Sequence, residues 1–156
     1  MKRILTTLAA SLLICSSASA KVTDHVNPFV GTTNFGTTNP GAICPNGMMS
    51  VTPFNVMGSD LNVYDKDSRW WSTPYCYDNK FFTGFSHVNL SGVGCPELGL
   101  VLTMPTTGSV QPDHHIYGSE YTDENARPGY YGCELSAYGI KAEVSATPRT
   151  SIERYT

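Results

Sequence analysis

The clearest alternation of hydrophobic and polar residues lies in the C-terminal third of the chain. Apolar residues occupy every second position from 140 to 146, and polar residues fill the positions between them up to 147. Successive side chains of a strand point to opposite faces, so this alternation predicts a half-buried β-strand over 140–147. Residues 131–137 alternate in the same way. Tyr138-Gly139 lies between the two stretches, which predicts the turn of a β-hairpin.

Two shorter hydrophobic stretches predict further strands. Residues 98–104 form an almost continuous apolar run that ends at Pro105, a pattern typical of a strand buried on both faces. Residues 48–54 are a shorter strand candidate. Gly, Pro, Asn, Ser and Thr separate these stretches, and no window has an apolar stripe at the helical period. Polar residues fall on every face of 59–73, so we predict an irregular loop there. The predicted fold class is all-β, an antiparallel β-sandwich with long loops.

The first twenty residues have the pattern of a secretory signal peptide. A basic start precedes an apolar, helical stretch at 4–14, and the small residues 18–20 match an A-x-A cleavage site. The apolar stretch is too short to cross ~30 Å of hydrocarbon, and no second one follows, so we expect no transmembrane segment. Export to the periplasm, the cell surface or the medium is therefore expected. Lipid attachment at Cys15 is a less favoured alternative, because Ile14 before it is not small.

Cleavage would leave residues 21–156 as one domain. A strand-like pattern continues through 149–156 to the last residue, so we expect the sandwich to be incomplete at its C-terminal end. The net charge is −3, and Lys and Arg form no cluster, which argues against a nucleic-acid partner.

Four cysteines follow the signal, at positions 44, 76, 95 and 133. An even number in an exported chain permits two disulfides. No CxxC pair is present, so a zinc site is not supported. Buried free thiols fit the same spacing as well as disulfides do.

Three loop-rich stretches, 27–42, 69–71 and 84–97, contain the candidate binding chemistry. In the last of them, glycines allow close backbone approach, and polar side chains offer the donors and acceptors that sugar hydroxyls need. The alternative is a buried turn whose polar groups bond to their own backbone. Trp70-Trp71 also has two interpretations, since a tryptophan ring can stack against a sugar or fill a core.

The carboxylates give no catalytic prediction. A glycosidase needs two carboxyl groups about 5–9.5 Å apart, one of them in an apolar setting that raises its pKa. Most carboxylates of this chain lie in polar runs typical of solvated surface. Asp113 with His114-His115 is a weak metal candidate, because adjacent side chains point apart.

In this order, these stretches resemble the N-terminal domain of glycoside hydrolase family 92. The matching segments are VNPFVGT at 26–32, NPGAICPNGMMSVTP at 39–53, GFSHVNLSGVGCPELG at 84–99, MPTTG at 104–108 and ARPGYYGCELSAYGIKAEVSATPRTSIERYT at 126–156. The resemblance implies a calcium-dependent, exo-acting, inverting α-mannosidase that removes terminal α-linked mannose from glycans, for example an α-1,2-mannosidase. It also implies a β-sandwich packed against a helical (α/α)6 domain, with the active site between the two.

By the same resemblance, the general acid, the general base and the calcium ligands belong to that helical domain. We therefore expect no catalytic residue and no metal ligand in this chain, which is predicted to be inactive alone and to form one wall of the active site. The resemblance implies substrate contacts for Asn39, Trp71, His87, Asn89, Cys95 and Glu97. Asn89 stands where the family often has His, and Glu97 where it often has Asp, which bears on linkage preference.

Two other functions fit the residues. One is a stand-alone carbohydrate-binding module that uses Trp70, Trp71 and the glycine-rich loop. The other is a structural surface module without a ligand. Affinity of the isolated chain for mannose distinguishes them.

Overall fold

The computed structural model describes residues 21–33, 36–56, 73–90 and 99–156. In these ranges the chain is almost entirely β. The helical elements are a 3-10 turn, Val22–His25, and one short α-helix, α1, His114–Tyr117. No described helix is long and apolar enough to span a membrane. The strands are β1 (Ala42–Ile43), β2 (Ser50–Phe54), β3 (Phe81–Phe82), β4 (Gly84–His87), β5 (Leu102–Thr103), β6 (Ser119–Arg127), β7 (Tyr130–Leu135), β8 (Ile140–Ala146) and β9 (Ser151–Tyr155).

The strands form two antiparallel sheets. Sheet 1 has the order β1-β2-β4-β5, and sheet 2 has the order β3-β6-β7-β8-β9. The predicted all-β class is confirmed, and the two sheets fit the antiparallel sandwich. The expected signal-peptide helix lies outside the described residues, as does most of the loop predicted over 59–73.

The predicted hairpin is confirmed. Strands β7 and β8 pair antiparallel, with Leu135 opposite Ile140. Gly139 closes the turn at a φ of 61°, and its N–H donates to the Leu135 carbonyl at 2.9 Å. Ala142 and Val144 of β8 are buried, so the alternating face does point into the core.

The prediction of a doubly buried strand over 98–104 is wrong. Within the described part of this run, only Leu102–Thr103 forms a strand, and it lies at the edge of sheet 1. Leu100, Val101 and Leu102 are 73, 54 and 43% exposed. Burial on both faces needs a covering layer on each side, and hydrophobicity alone does not supply one. The shorter candidate at 48–54 does form a strand, β2.

Aromatic rings fill the space between the sheets. Phe85 of β4 lies 4.9 Å from Phe82 and 6.2 Å from Tyr131 by ring centroids, and both pairs meet edge to face. Phe85 also stacks on Tyr155 of β9 at 6.5 Å. Edge-to-face rings add to the hydrophobic effect of burial, so this cluster helps to hold the two sheets together.

The described cysteines, Cys44, Cys76 and Cys133, are free thiols. Burial raises the pKa of Cys133 to about 12, so that thiol stays protonated and unreactive at neutral pH. Cys95 lies outside the described residues.

Candidate functional site

A row of buried polar side chains lies on the outer face of sheet 1. Val51 and Phe85 point into the core, so Thr52 and Ser86, next to them in sequence, point the opposite way. Thr52 and Ser86 are antiparallel partners, which places their hydroxyls side by side. Both residues are almost completely buried although they lie on the outer face. The chain therefore folds over this part of the sheet.

Asn39 lies at one end of the row. Its Oδ1 accepts from the Gly41 N–H at 3.2 Å and from Thr52 Oγ1 at 3.0 Å. A backbone N–H can only donate, so Gly41 fixes which way the amide is turned. Asn39 is 7% exposed, and its buried Nδ2 has no hydrogen-bond partner among the described residues.

Asn89 lies at the other end. Its Oδ1 accepts from Ser86 Oγ at 3.1 Å, and its backbone N–H donates to Ser50 Oγ at 2.8 Å. Its Nδ2 is also buried without a partner in the described part of the chain. Val88, directly before it, has a φ of 56°, which is rare for a β-branched residue and is typical of functional sites. We call Asn39, Thr52, Ser86 and Asn89 the amide row.

Two glycines allow the chain to lie directly on the amide row. A Cβ atom at Gly41 would come within 2.3 Å of Thr52 Oγ1 and 2.6 Å of the Val51 carbonyl oxygen. A Cβ atom at Gly99 would lie 3.0 Å from both Asn89 Oδ1 and Ser86 Oγ. The row is thus covered by backbone at both ends.

Replacing Gly41 with Ala is expected to destabilise the fold by about 1–3 kcal/mol, because the new methyl collides with backbone that has no room to move. Urea denaturation measures the loss. Ser109→Ala is the control, since Ser109 is exposed and a surface substitution of this kind changes stability by less than about 0.5 kcal/mol. A loss at Gly41 no larger than at Ser109 would contradict the close contact.

His87 lies on the core-facing side of β4, opposite the amide row. Its Nδ1 lies 3.0 Å from the Val101 carbonyl oxygen, and its Nε2 contacts Glu153. Glu153 also accepts from Thr103 Oγ1 at 3.0 Å and from the Tyr155 hydroxyl. This carboxylate therefore joins β4 and β5 of sheet 1 to β9 of sheet 2. The structure gives His87 this contact, and its predicted contact with substrate stays a prediction.

A second partly buried carboxylate anchors the residues that follow Trp71 in sequence. Glu124 Oε2 accepts from the Tyr75 hydroxyl at 2.7 Å and from the Tyr131 hydroxyl at 2.9 Å. Burial raises the pKa of both tyrosines well above the ordinary value, so both hydroxyls stay protonated and donate. Nearby, the Asn55 amide bonds to both the N–H and the carbonyl of Cys76. Residues 73–79 are therefore fixed to the sandwich.

Among the six residues predicted to contact substrate, the structure brings Asn39 and Asn89 to the same row and places His87 on the other face. Trp71, Cys95 and Glu97 lie outside the described residues. Sequence reasoning missed Thr52, Ser86 and Glu153. Nowhere in the described ranges do three or more His, Cys, Asp or Glu side chains lie close enough to hold a metal ion.

The two antiparallel sheets and their aromatic core define a β-sandwich domain. The amide row on the outer face of sheet 1 is its candidate binding site. A family model described as the glycosyl hydrolase family 92 N-terminal domain matches residues 25–156. The chain belongs to glycosyl hydrolase family 92.

Relatives with known structures share this fold. The chain is 38% identical to the family GH92 α-mannosidase BT3965 from Bacteroides thetaiotaomicron, with a TM-score of 0.73 over 88% of this chain and 18% of that one. The inverting mannosidase BT2199 from the same species has a TM-score of 0.60 at 24% identity, a likeness of fold, and it too is covered over 18% of its chain against 88% of this one.

A curated relative gives the same proportions. An uncharacterized secreted glycosidase from Arthroderma benhamiae is 27% identical over 154 residues, which cover 91% of this chain and 18% of that protein. The chain thus spans about a fifth of the length of the relatives it matches.

Proposed function

We propose that this chain is the N-terminal domain of a secreted, exo-acting, inverting α-mannosidase that hydrolyses terminal α-linked mannose, as an α-1,2-mannosidase does. Membership of family 92 and the 38% identity to an α-mannosidase support the reaction class. The signal-like pattern of residues 1–20 supports export. Mannose-containing glycans are the proposed substrates.

In this proposal the chain forms one wall of the active site and is not itself catalytic. The observation that carries it is the orphaned Nδ2 of Asn39. A buried N–H group without an acceptor costs about 1–3 kcal/mol, and a ligand oxygen placed there would recover that loss. Asn39 and Asn89 are uncharged donors, which suits the hydroxyl oxygens of a neutral sugar.

The catalytic groups and the calcium site are assigned to a different domain. The general acid, the general base and the calcium ion are proposed to lie in a helical (α/α)6 domain of a longer protein. When bound there, calcium would orient the sugar and polarise its oxygens. Trp71, Cys95 and Glu97 are proposed as further substrate contacts of this domain.

Titration of the ¹⁵N-labelled chain with methyl α-mannoside tests the wall. We expect shifts at the Asn39 and Asn89 side-chain amides, with a Kd of about 1 mM or weaker, since only part of the pocket is present. Methyl β-galactoside is the matched control sugar. Amides that do not respond to saturating mannoside would contradict the assigned wall.

An assay with α-1,2-mannobiose tests the catalytic assignment. The chain alone is expected to release no mannose, and release would show that it holds its own acid and base. Micromolar affinity without any hydrolysis would instead favour the stand-alone binding module.

A further inference from the structure

We propose that Thr52 and Ser86 are positioning residues, which turn the Asn39 and Asn89 amides so that both Nδ2 groups face the ligand. This inference rests on the proposed function, because it assigns two further residues to the same wall. Neither hydroxyl need touch the sugar. Each acts through the amide that it holds.

A primary amide is planar. Its oxygen and nitrogen diverge from the same carbon, so a donor that holds Oδ1 fixes the plane and leaves Nδ2 on the other branch of the amide. Thr52 Oγ1 holds Asn39 Oδ1, and Ser86 Oγ holds Asn89 Oδ1. The Nδ2 groups are therefore the ends of the amides that the hydroxyls leave without a partner in the described ranges, and both are buried.

Strand register places the Thr52 and Ser86 hydroxyls side by side. Thr52 and Ser86 are direct partners across β2 and β4, and such pairs have Cβ atoms about 4.5–5.5 Å apart. One antiparallel pair thus holds amides from two different loops. The ligand class is one that offers acceptor oxygens without a negative charge, since no side chain of the amide row is charged.

The two amides are held unequally, which makes the proposal quantitative. Asn39 Oδ1 keeps the Gly41 N–H when the Thr52 hydroxyl is lost. For Asn89 Oδ1, Ser86 is the only donor in the described part of the chain. Removing the Ser86 hydroxyl should therefore have the larger effect.

Side-chain NMR on an ¹⁵N-asparagine-labelled chain tests the assignment with two substitutions. In Ser86→Ala we expect faster rotation of the Asn89 amide and about 5–10-fold weaker binding of methyl α-mannoside, the loss of one net hydrogen bond. In Thr52→Val we expect a change confined to Asn39 and a loss of about 2–3-fold. Thr52→Ser keeps the hydroxyl and should restore both readouts.

Two further variants keep the test decisive. Thr83→Val removes a buried hydroxyl that donates to the Phe54 carbonyl at 3.2 Å, and it should lower stability without altering either amide. If Ser86→Ala does not fold, Ser86→Cys substitutes a weak S–H donor of similar shape.

The outcomes separate the two proposals. Unchanged Asn89 rotation and unchanged affinity in the Ser86 variant would overturn the positioning role, even if the wild type binds mannoside. Free rotation of Asn89 in that variant would support positioning, even if no mannoside bound to the wild type, a result that would remove the proposed function alone.

Discussion

Replacing Glu153 with Ala is expected to lower the free energy of unfolding by about 2–3 kcal/mol, somewhat less than the ~3–5 kcal/mol for breaking a fully buried pair. The carboxylate accepts hydrogen bonds from His87, Thr103 and Tyr155. The Glu153 side chain is 16% exposed, so solvent compensates for part of the loss. What remains is the cost of three donors that lose their common acceptor.

Urea denaturation of matched variants measures this contribution. Glu153→Gln keeps an oxygen acceptor and should lose less than Glu153→Ala. Glu143→Ala is the control on the neighbouring strand, because Glu143 bonds to Arg154 and Tyr130, and Arg154 is largely exposed. Screened pairs of this kind contribute little. Equal losses at positions 143 and 153 would contradict the joining role of Glu153.

Replacing Phe85 with Ala is expected to cost about 3–5 kcal/mol, the range for truncating a buried phenylalanine. Phe85 of sheet 1 is fully buried, and its ring contacts Phe82, Tyr131 and Tyr155, which all belong to sheet 2. Since domains are stable by only about 5–15 kcal/mol, much of the variant should be unfolded near 37 °C.

Thermal unfolding followed by circular dichroism provides the measurement. Ile152→Ala is the control, because Ile152 is 71% exposed and should change stability by less than about 0.5 kcal/mol. If Phe85→Ala melts at the same temperature as Ile152→Ala, the aromatic cluster does not help to hold the sheets together.

The β7–β8 hairpin was predictable because its signal is local. The alternation of β8, the turn at Gly139 and the opposite strand all lie within about twenty residues, and each points to the same structure. The run at 98–104 failed for the opposite reason. Its burial depends on which layers cover the two faces of β5, and no residue in the run itself carries that information.

The hydrogen bonds of the amide row were not predictable from the sequence either. The family segments pointed to Asn39 and Asn89, but the partners of these amides come from β2 and β4. Thr52 looks like an ordinary outward-facing residue in the sequence, and its burial depends on a chain segment that folds over it. Glu153 lies in a strand-like stretch that gave no sign of a contact with His87, 66 positions earlier.

That separation has a consequence for the order in which the molecule assembles. During synthesis residue 87 leaves the ribosome well before residue 153, so the contact between His87 and Glu153 forms only after β9 has emerged. Contacts between distant positions slow folding, and β-rich domains that depend on them fold in about milliseconds to seconds. Throughout this interval Leu100, Val101 and Leu102 face solvent at the edge of sheet 1, as they do in the folded domain, the condition in which chains associate with one another. Dilution should therefore raise the yield of refolded protein.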